Sequence, residues 1–397
     1  MKKVVLAYSG GLDTSVCVKF LQEKYDAEVI TVTLDVGQND DFEKVERISK
    51  SIGAKKHYFI DAKEEFAENY IFKSIMANGL YQNQYPLGTA LSRPLIAEKL
   101  VEIANKENAK IVSHGCTGKG NDQVRFDTTI KYLNPKLEIL APVREWNLSR
   151  DVEEKYAKDH GIPIETKTTE YSIDENIWGR CVEGGKLSNL ETEAGDDIYN
   201  WIHPISKTPD KATYLDIEFQ NGVPISINKT KMSSVELIKE LNRIAGLNGV
   251  GFIDHIEDRI MGIKTREIYE CPAAICLITA HRDLENLVLT REQTLFKNII
   301  TEKWSWLVYS GLWIDDLRLD LEKFIFNTQK NVSGTIRIKL HKGNIKVINR
   351  TSKFSRYNSN MASYNQESKF DQTDANGFIK IWGLASLQKQ DPKNQPQ

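Results

Sequence analysis

The sequence has few cysteines, no long hydrophobic run and almost no net charge. Its five cysteines are odd in number and form no CxxC pair, so we expect neither a zinc or other metal site nor a disulfide framework. The apolar run at residues 273–278 has six residues, far fewer than the ~20 that a membrane helix needs. A net charge of −2 provides no basic field for nucleic acid.

These absences favour a globular protein with reduced thiols. The first residues enter an apolar strand without the layout of a secretory signal. We therefore expect a cytoplasmic protein with no membrane and no nucleic-acid partner. A length of 397 residues fits about two or three domains.

Strands and helices alternate along the first part of the chain. The predicted strands are residues 3–8, 28–34, 56–60, 110–114 and 138–141. The predicted helices are residues 13–24, 42–52, 63–77 and 93–107, one from about Asp122, and one from about Ser149 to Gly161. This alternation predicts an α/β fold with a doubly wound parallel sheet, whose ligands bind beyond the carboxyl ends of the strands.

The pattern changes after Pro163. Hairpins are predicted for residues 215–227 and 335–347, and helices for residues 235–245, 290–309 and 315–328. We predict a nucleotide-binding domain at residues 1–165, a second α+β domain at 166–373, and an arm with a disordered polar tail at 374–397.

A loop rich in glycine and hydroxyl groups joins the first strand to the first helix. Its residues are Ala7, Tyr8, Ser9, Gly10, Gly11, Leu12, Asp13, Thr14 and Ser15. The two glycines allow backbone N–H groups to approach an anion, and the following helix presents its positive end. The loop matches neither GxxxxGK[ST] nor GxGxxG. It resembles the SGGxD[ST] loop of the PP-loop ATP pyrophosphatases, which implies ATP as substrate.

A second loop, residues 112–126, also starts at a strand end and should share the same rim of the sheet. It carries Thr117, Asn121, Asp122 and Arg125. Arg125 can hold a carboxylate by two hydrogen bonds, and Asp122 can pair with an ammonium group. This combination suits an amino-acid substrate.

Five motifs together resemble the argininosuccinate synthase family over essentially the whole chain. They are AYSGGLDTS, YPLGTALSRPLIAEK, VSHGCTGKGNDQVRF, SIDEN and GVGFIDHIEDRIMGIKTREIYECPA. The resemblance implies ATP-dependent joining of citrulline and aspartate to argininosuccinate through a citrulline adenylate, with release of AMP and pyrophosphate. It further implies Mg²⁺ with the nucleotide, a second synthetase domain and a homotetramer.

The resemblance also implies substrate-binding residues. ATP is expected at residues 7–15, Leu34 and Gly115, and aspartate at Thr117, Asn121 and Asp122. Citrulline is expected at Tyr85, Ala90, Asn121, Arg125, Ser172, Cys181, Glu257 and Tyr269. Ala90 and Cys181 depart from the family pattern, which often has serine at both positions. Asp122 is the candidate for orienting the aspartate amine or relaying its proton.

Several of these residues have an ordinary structural interpretation. Residues 254–259, which include Glu257, read on their own as a solvated face with local ion pairs, and Tyr269 reads as a packing residue. His114 reads as a strand-end residue with satisfied hydrogen bonds. The tryptophans at 304, 306 and 313 fit core or subunit contacts.

The C-terminal residues match the entry to the family's arm from Asp374, but Gly383 and Pro392 limit its helix. We expect a tetramer with a shortened arm. The alternatives are another adenylating enzyme with the same loop, such as an amidotransferase synthetase or a tRNA-modifying enzyme, or a non-catalytic sensor of AMP or ATP. The first would need a nucleophilic cysteine or a basic face, and a sensor would not need Asn121, Asp122 and Arg125.

Overall fold

The computed structural model describes residues 2–146, 150–163, 171–363 and 370–387. The chain forms two compact units, Met1–Phe354 and Ser355–Gln397. Three sequence predictions lie outside the described residues: the helix start near Ser149, the boundary between residues 165 and 166, and the polar tail from residue 388. The division into domains at 165 and 373 stays a prediction.

The first unit contains the predicted parallel sheet. Its strands are Lys2–Ala7 (β1), Ala27–Asp35 (β2), Lys56–Asp61 (β3), Ile111–Ser113 (β4) and Glu138–Leu140 (β5). Their order is β3-β2-β1-β4-β5, with every neighbouring pair parallel. Val5 packs into one hydrophobic core and its neighbours Val4 and Leu6 into another, because successive side chains of a strand face opposite sides. Both faces are therefore covered, which confirms the doubly wound α/β fold.

Helices connect these strands. They are Leu12–Tyr25 (α1), Phe42–Ser51 (α2), Lys63–Phe66 (α3), Phe72–Ala77 (α4), Gly88–Lys106 (α5), Asp122–Leu133 (α6), Pro142–Glu145 (α7) and Arg150–Asp159 (α8). A π-helical turn, Ala67–Ile71, joins α3 to α4, so the predicted helix over residues 63–77 is present with a local widening.

One helix start was predicted wrongly. The sequence predicts a helix over residues 93–107. Helix α5 instead begins at Gly88 and contains Pro94 in its interior. The missing N–H of Pro94 costs the helix one hydrogen bond, and the complete burial of Ala90 and Leu91 offsets that loss by packing.

The rest of the first unit contains two antiparallel sheets. Their strands are Ser172–Asn176 (β6), Gly179–Glu183 (β7), Thr213–Gln220 (β8), Val223–Ile227 (β9), Thr230–Lys231 (β10), Phe252–Asp258 (β11), Lys264–Glu270 (β12), Gly334–His341 (β13) and Asn344–Thr351 (β14). One sheet has the order β10-β9-β8-β13-β14, which confirms both predicted hairpins. The other has the order β11-β12-β7-β6 and was not predicted.

Four further helices belong to this part of the unit: Ser234–Leu247 (α9), Pro272–Val288 (α10), Arg291–Tyr309 (α11) and Asp316–Thr328 (α12). The sequence predicts all but α10. The second unit has the helices Ser359–Ala362 (α13), Asp374–Trp382 (α14) and Leu384–Leu387 (α15), and α14 ends at Gly383 as predicted. Across the described part of the chain, every helix is too short or too polar to span a lipid bilayer.

A buried polar network attaches α11 to α10 and to the end of α4. Lys297 of α11 forms an ion pair with Glu285 of α10 and donates a hydrogen bond to the Met76 carbonyl at 2.7 Å. Glu285 also accepts from Asn78 at 2.6 Å and from Gln329 at 2.7 Å. Lys297 and Glu285 are only 3% exposed, so each charge depends on the other for compensation.

Replacing Lys297 with methionine should destabilise the protein by about 3–5 kcal/mol, because the Glu285 carboxylate would remain buried without its cation. The matched control is Lys303→Met, which removes an exposed lysine from the same helix. The midpoint of urea unfolding, read by tryptophan fluorescence, measures both. Equal midpoints for the two variants would contradict the role given to this ion pair.

Candidate active site

The loops after β1 and β4 lie side by side at the carboxyl edge of the parallel sheet. Strand β1 pairs with β2 on one side and with β4 on the other. The first three strands therefore extend the sheet to one side of β1, and the next two extend it to the other side. A Cβ added to Gly115 would lie 3.1 Å from the Thr14 Cγ2. The prediction that the two loops share one rim is therefore confirmed, and this position is where open α/β sheets bind ligands.

The first loop exposes the amino end of α1. Gly11 is the N-cap residue, and no side chain caps the helix there. Ser9 Oγ and Thr14 Oγ1 are 3.2 Å apart, and Tyr8 Oη and Ser15 Oγ are 3.0 Å apart, so the hydroxyl groups brace the loop around the helix end. A helix amino end without a side-chain cap favours an anion such as a phosphate.

The remaining predicted residues near this rim occupy different settings. Leu34 is buried near the end of β2, and Thr117 is exposed on the loop before α6. Within the part of the chain that the structure describes, neither residue forms a hydrogen bond with another predicted site residue. His114 is buried, accepts from the Cys116 N–H at 3.2 Å and lies 2.8 Å from Asp127 Oδ1. Both of its ring nitrogens are satisfied, as predicted.

Asp122, at the start of α6, lies between two guanidinium groups. Its Oδ2 is 2.6 Å from Arg93 Nε and its Oδ1 is 2.8 Å from Arg125 Nη1. Arg93 continues to Asp174 of β6 through Nη2 at 2.7 Å. Burial raises the pKa of Asp122, but the two arginines outweigh burial and lower its pKa to about 2. The carboxylate is therefore a fixed negative charge near neutral pH.

Arg125 is already held by protein groups. Its Nε and Nη2 both donate to the Tyr309 carbonyl, at 3.1 and 2.9 Å, and its Nη1 donates to Asp122 and to Thr89 Oγ1. These bonds occupy four of the five N–H groups of the guanidinium. The sequence suggests that Arg125 binds a substrate carboxylate through two parallel hydrogen bonds, but in this structure the Nε and Nη2 groups bind the Tyr309 carbonyl instead. One N–H group of Arg125 remains for a ligand.

Glu257 is the centre of a buried hydrogen-bond network. Tyr269 donates to its Oε2, and Tyr309 donates to its Oε1 at 2.6 Å. The Tyr309 hydroxyl accepts from Asn121 Nδ2 at 2.9 Å, and the Tyr269 ring stacks on Tyr85 at a centroid distance of 4.3 Å. The solvated-face interpretation of Glu257 is wrong, since this side chain is 3% exposed.

The four-stranded sheet presents these groups on one polar face. Cys181 is the cross-strand neighbour of both Tyr269 and Asp174, and Glu183 is the cross-strand neighbour of Ser172 and Glu267. Cross-strand neighbours point to the same side of a sheet, and successive residues of a strand point to opposite sides, so these side chains share one face. The other face carries residues such as Val182 and packs into a small hydrophobic core. We call the first side the polar face, defined by Ser172, Asp174, Cys181, Glu183, Glu257, Glu267 and Tyr269.

Acidic groups on the polar face are partly neutralised by Arg259, which pairs with Glu183 and, at 2.9 Å, with Glu267. Burial and the nearby Glu267 raise the pKa of Glu183 to about 7, against the opposing effect of Arg259. The polar face therefore carries excess negative charge, which suits a substrate ammonium group. Among the described residues, no cluster of three or more His, Cys, Asp or Glu side chains could hold a metal ion.

Comparison with known families gives a consistent result along the chain. The family described as Arginosuccinate synthase N-terminal HUP domain matches residues 3–163, and the Arginosuccinate synthase C-terminal domain matches residues 171–389. The chain belongs to the argininosuccinate synthase family. The first match contains the parallel sheet, and the second contains the polar face.

Similar proteins called argininosuccinate synthase occur in archaea and bacteria. The relative from Pyrococcus furiosus is 59% identical over 385 residues, which are 97% of this chain and 93% of that protein. The relative from Dehalococcoides mccartyi is 50% identical over 98% of this chain and 96% of that protein. The relative from Methanocaldococcus jannaschii is 50% identical and covers 96% of each.

The two departures from the argininosuccinate synthase pattern have different surroundings. Ala90 is fully buried in the first turn of α5, next to Thr89, which binds both Tyr85 and Arg125. The Cys181 thiol donates to Glu267 at 3.3 Å. A thiol is a weaker hydrogen-bond donor than a hydroxyl, so Cys181 restores part of what a serine would provide.

Sequence reasoning missed three groups that complete the site: Arg93, Asp174 and Tyr309. Arg93 and Asp174 lie inside two of the quoted motifs, and a search for buried counter-charges to Asp122 would have pointed to them. Tyr309 is the last residue of α11, and no local pattern marks it. Only the folded structure brings the end of that helix to Asn121 and Glu257.

Replacing Gly10 with alanine should weaken ATP binding at least about tenfold. Gly10 has a φ of 77°, and an added Cβ would lie 2.9 Å from Val45 Cγ2, so the loop must shift. The control is Gly161→Ala, at a φ of 61° with nothing within 4 Å of the added Cβ. Isothermal titration calorimetry with ATP tests both variants, and an unchanged affinity for Gly10→Ala would count against this loop as the phosphate site.

Proposed function

We propose that this protein catalyses the family's reaction, the ATP-dependent joining of L-citrulline and L-aspartate to argininosuccinate, with release of AMP and pyrophosphate, in arginine biosynthesis. One observation carries the proposal in this chain. The uncapped start of α1 shares the carboxyl edge of the parallel sheet with Asp122 and Arg125, and Arg93 links Asp122 to the polar face.

ATP is assigned to residues 7–15, with Leu34 and Gly115 beside the adenosine. The N–H groups at the start of α1 and the hydroxyls of Ser9 and Thr14 provide donors for the phosphates. Mg²⁺ is expected to enter with the nucleotide, because hydroxyl and carboxylate oxygens at this loop are ligands that the cation prefers. When bound, the ion would neutralise phosphate charge during the reaction.

Citrulline is assigned to the polar face and the residues opposite it. These are Tyr85, Ala90, Asn121, Arg125, Ser172, Cys181, Glu257 and Tyr269. The negative charge of the face favours the substrate's ammonium group, and the remaining N–H of Arg125 can bind its carboxylate. The stacked rings of Tyr85 and Tyr269 would exclude water from the neutral side chain of citrulline.

Aspartate is assigned to Thr117, Asn121 and Asp122. Asp122 keeps lone pairs beyond those that its two arginines use, so it can accept from the ammonium group of the substrate. Its low pKa makes it a poor proton acceptor near neutral pH. We therefore assign Asp122 to orienting the amine rather than to removing its proton.

The proposed reaction has two steps. The ureido oxygen of citrulline attacks the α-phosphorus of ATP, which forms citrulline adenylate and releases pyrophosphate. The neutral amine of aspartate then attacks the ureido carbon, loses its proton, and AMP departs with the former ureido oxygen. Donors placed around the phosphates stabilise the charge that develops in the first step.

Omitting one substrate at a time tests the function. Pyrophosphate release should need both ATP and citrulline, and argininosuccinate should form only after aspartate is added, because the adenylate precedes the amine attack. Coupled spectrophotometry measures pyrophosphate, and mass spectrometry measures the product. Pyrophosphate release with ATP alone, or ATP binding without turnover when citrulline and aspartate are both present, would contradict the proposal.

We also propose a cytoplasmic homotetramer with a shortened C-terminal arm. Helix α11 exposes Leu295, Phe296 and Ile299, and α14 exposes Phe378 and Ile381; exposed apolar stripes of this kind favour subunit contacts. The five cysteines are all unpaired, which suits a reducing compartment. Light scattering coupled to gel filtration should report four chains per particle, and a stable monomer at micromolar concentration would exclude the tetramer.

A further inference from the structure

Tyr309 is a buried residue at the end of α11 that contacts groups assigned to both amino-acid substrates. Its side chain is fully buried, and its ring stacks on Tyr81 at a centroid distance of 3.5 Å. The ring position is therefore determined by packing on one side and by the helix on the other. The buried network at Lys297 holds the same helix against α10.

The Tyr309 hydroxyl joins two predicted substrate residues. It donates to Glu257 Oε1 at 2.6 Å and accepts from Asn121 Nδ2 at 2.9 Å. A second acceptor, the Asp258 carbonyl, lies 3.0 Å away. Burial and the Glu257 carboxylate raise the pKa of Tyr309, so the hydroxyl retains its proton and acts as the donor to Glu257.

The backbone of Tyr309 holds a third predicted substrate residue. Its carbonyl, at the carboxyl end of α11, accepts from Arg125 Nε and Nη2 at 3.1 and 2.9 Å. Gly311 permits this approach, because it has a φ of 79° and an added Cβ would lie 3.1 Å from the Arg125 Cα. A helix carboxyl end carries partial negative charge and favours a cation.

We propose that Tyr309 is a positioning residue for the ligation reaction: its hydroxyl fixes the Glu257 carboxylate and the Asn121 amide relative to each other, and its carbonyl fixes the Arg125 guanidinium. The inference rests on the proposed function. The Tyr309 hydroxyl thereby couples Glu257, assigned to citrulline, to Asn121, assigned to both amino acids. The effect of Tyr309 on the substrates passes through these two residues.

Tyr309→Phe tests the hydroxyl, because it keeps the ring and the carbonyl. Loss of a hydrogen bond to a charged group should lower kcat/KM for citrulline about 10- to 100-fold, while the KM for ATP stays within about twofold. The control is Tyr70→Phe, which removes another buried tyrosine hydroxyl bonded to a carboxylate, Glu98 at 2.7 Å, away from the site. The Tyr70→Phe variant should retain the turnover of the unmodified protein.

A double-mutant cycle separates positioning from a general structural effect. If Tyr309 acts through Glu257, then Tyr309→Phe should add little to the loss caused by Glu257→Gln. Simple addition of the two losses would overturn the inference, as would an unchanged kcat/KM for citrulline in Tyr309→Phe. Failure of the unmodified protein to form argininosuccinate would instead overturn the proposed function, and this inference with it.

A second variant covers the case in which Tyr309→Phe does not fold. Replacing Tyr309 with 3-fluorotyrosine keeps the hydroxyl and the ring but makes the hydroxyl a stronger acid. The kcat/KM for citrulline should then change severalfold, because a more acidic hydroxyl alters the hydrogen bond to Glu257, while the KM for ATP is preserved. Kinetics identical to those of the unmodified protein would overturn the inference.

Discussion

The ion pairs of Asp122 are the constraint on which the site depends. The guanidinium groups of Arg93 and Arg125 are largely buried, and a buried charge is strongly destabilising unless an opposite charge compensates it. The Asp122 carboxylate compensates the charges of both arginines, and the Asp174 carboxylate provides Arg93 with a second negative partner. Because these groups belong to α5, α6 and β6, the same ion pairs hold the polar face against the edge of the parallel sheet.

This arrangement has a chemical consequence. A carboxylate that is fixed by two cations needs little reorganisation when a substrate arrives, so it can define where an ammonium group binds. The same cations keep its proton affinity low. In the proposed ligation, acceleration would come mainly from holding two amino acids and an adenylate in position. The carboxyl groups whose pKa is raised, those of Glu183 and Glu257, belong to the polar face.

The fold could be predicted from the sequence where local patterns are strong, and not elsewhere. The parallel strands alternate with helices, and the Asn221–Gly222 turn indicates its hairpin, so these elements were recognised. Strands β11 and β12 were not, because Glu257 and Glu267 lie in charged stretches that are typical of solvated faces. Their burial depends on partners distant in sequence, such as Tyr309 and Arg259. For the same reason, local motifs indicated Asp122 but not Arg93.

The most direct measurement is a crystal structure with α,β-methylene-ATP and citrulline bound. We expect the triphosphate to contact the backbone of residues 8–15, and the ureido oxygen of citrulline on the polar face to point at the α-phosphorus. Binding of the triphosphate away from the start of α1, or of citrulline away from Glu257 and Tyr269, would contradict this expectation.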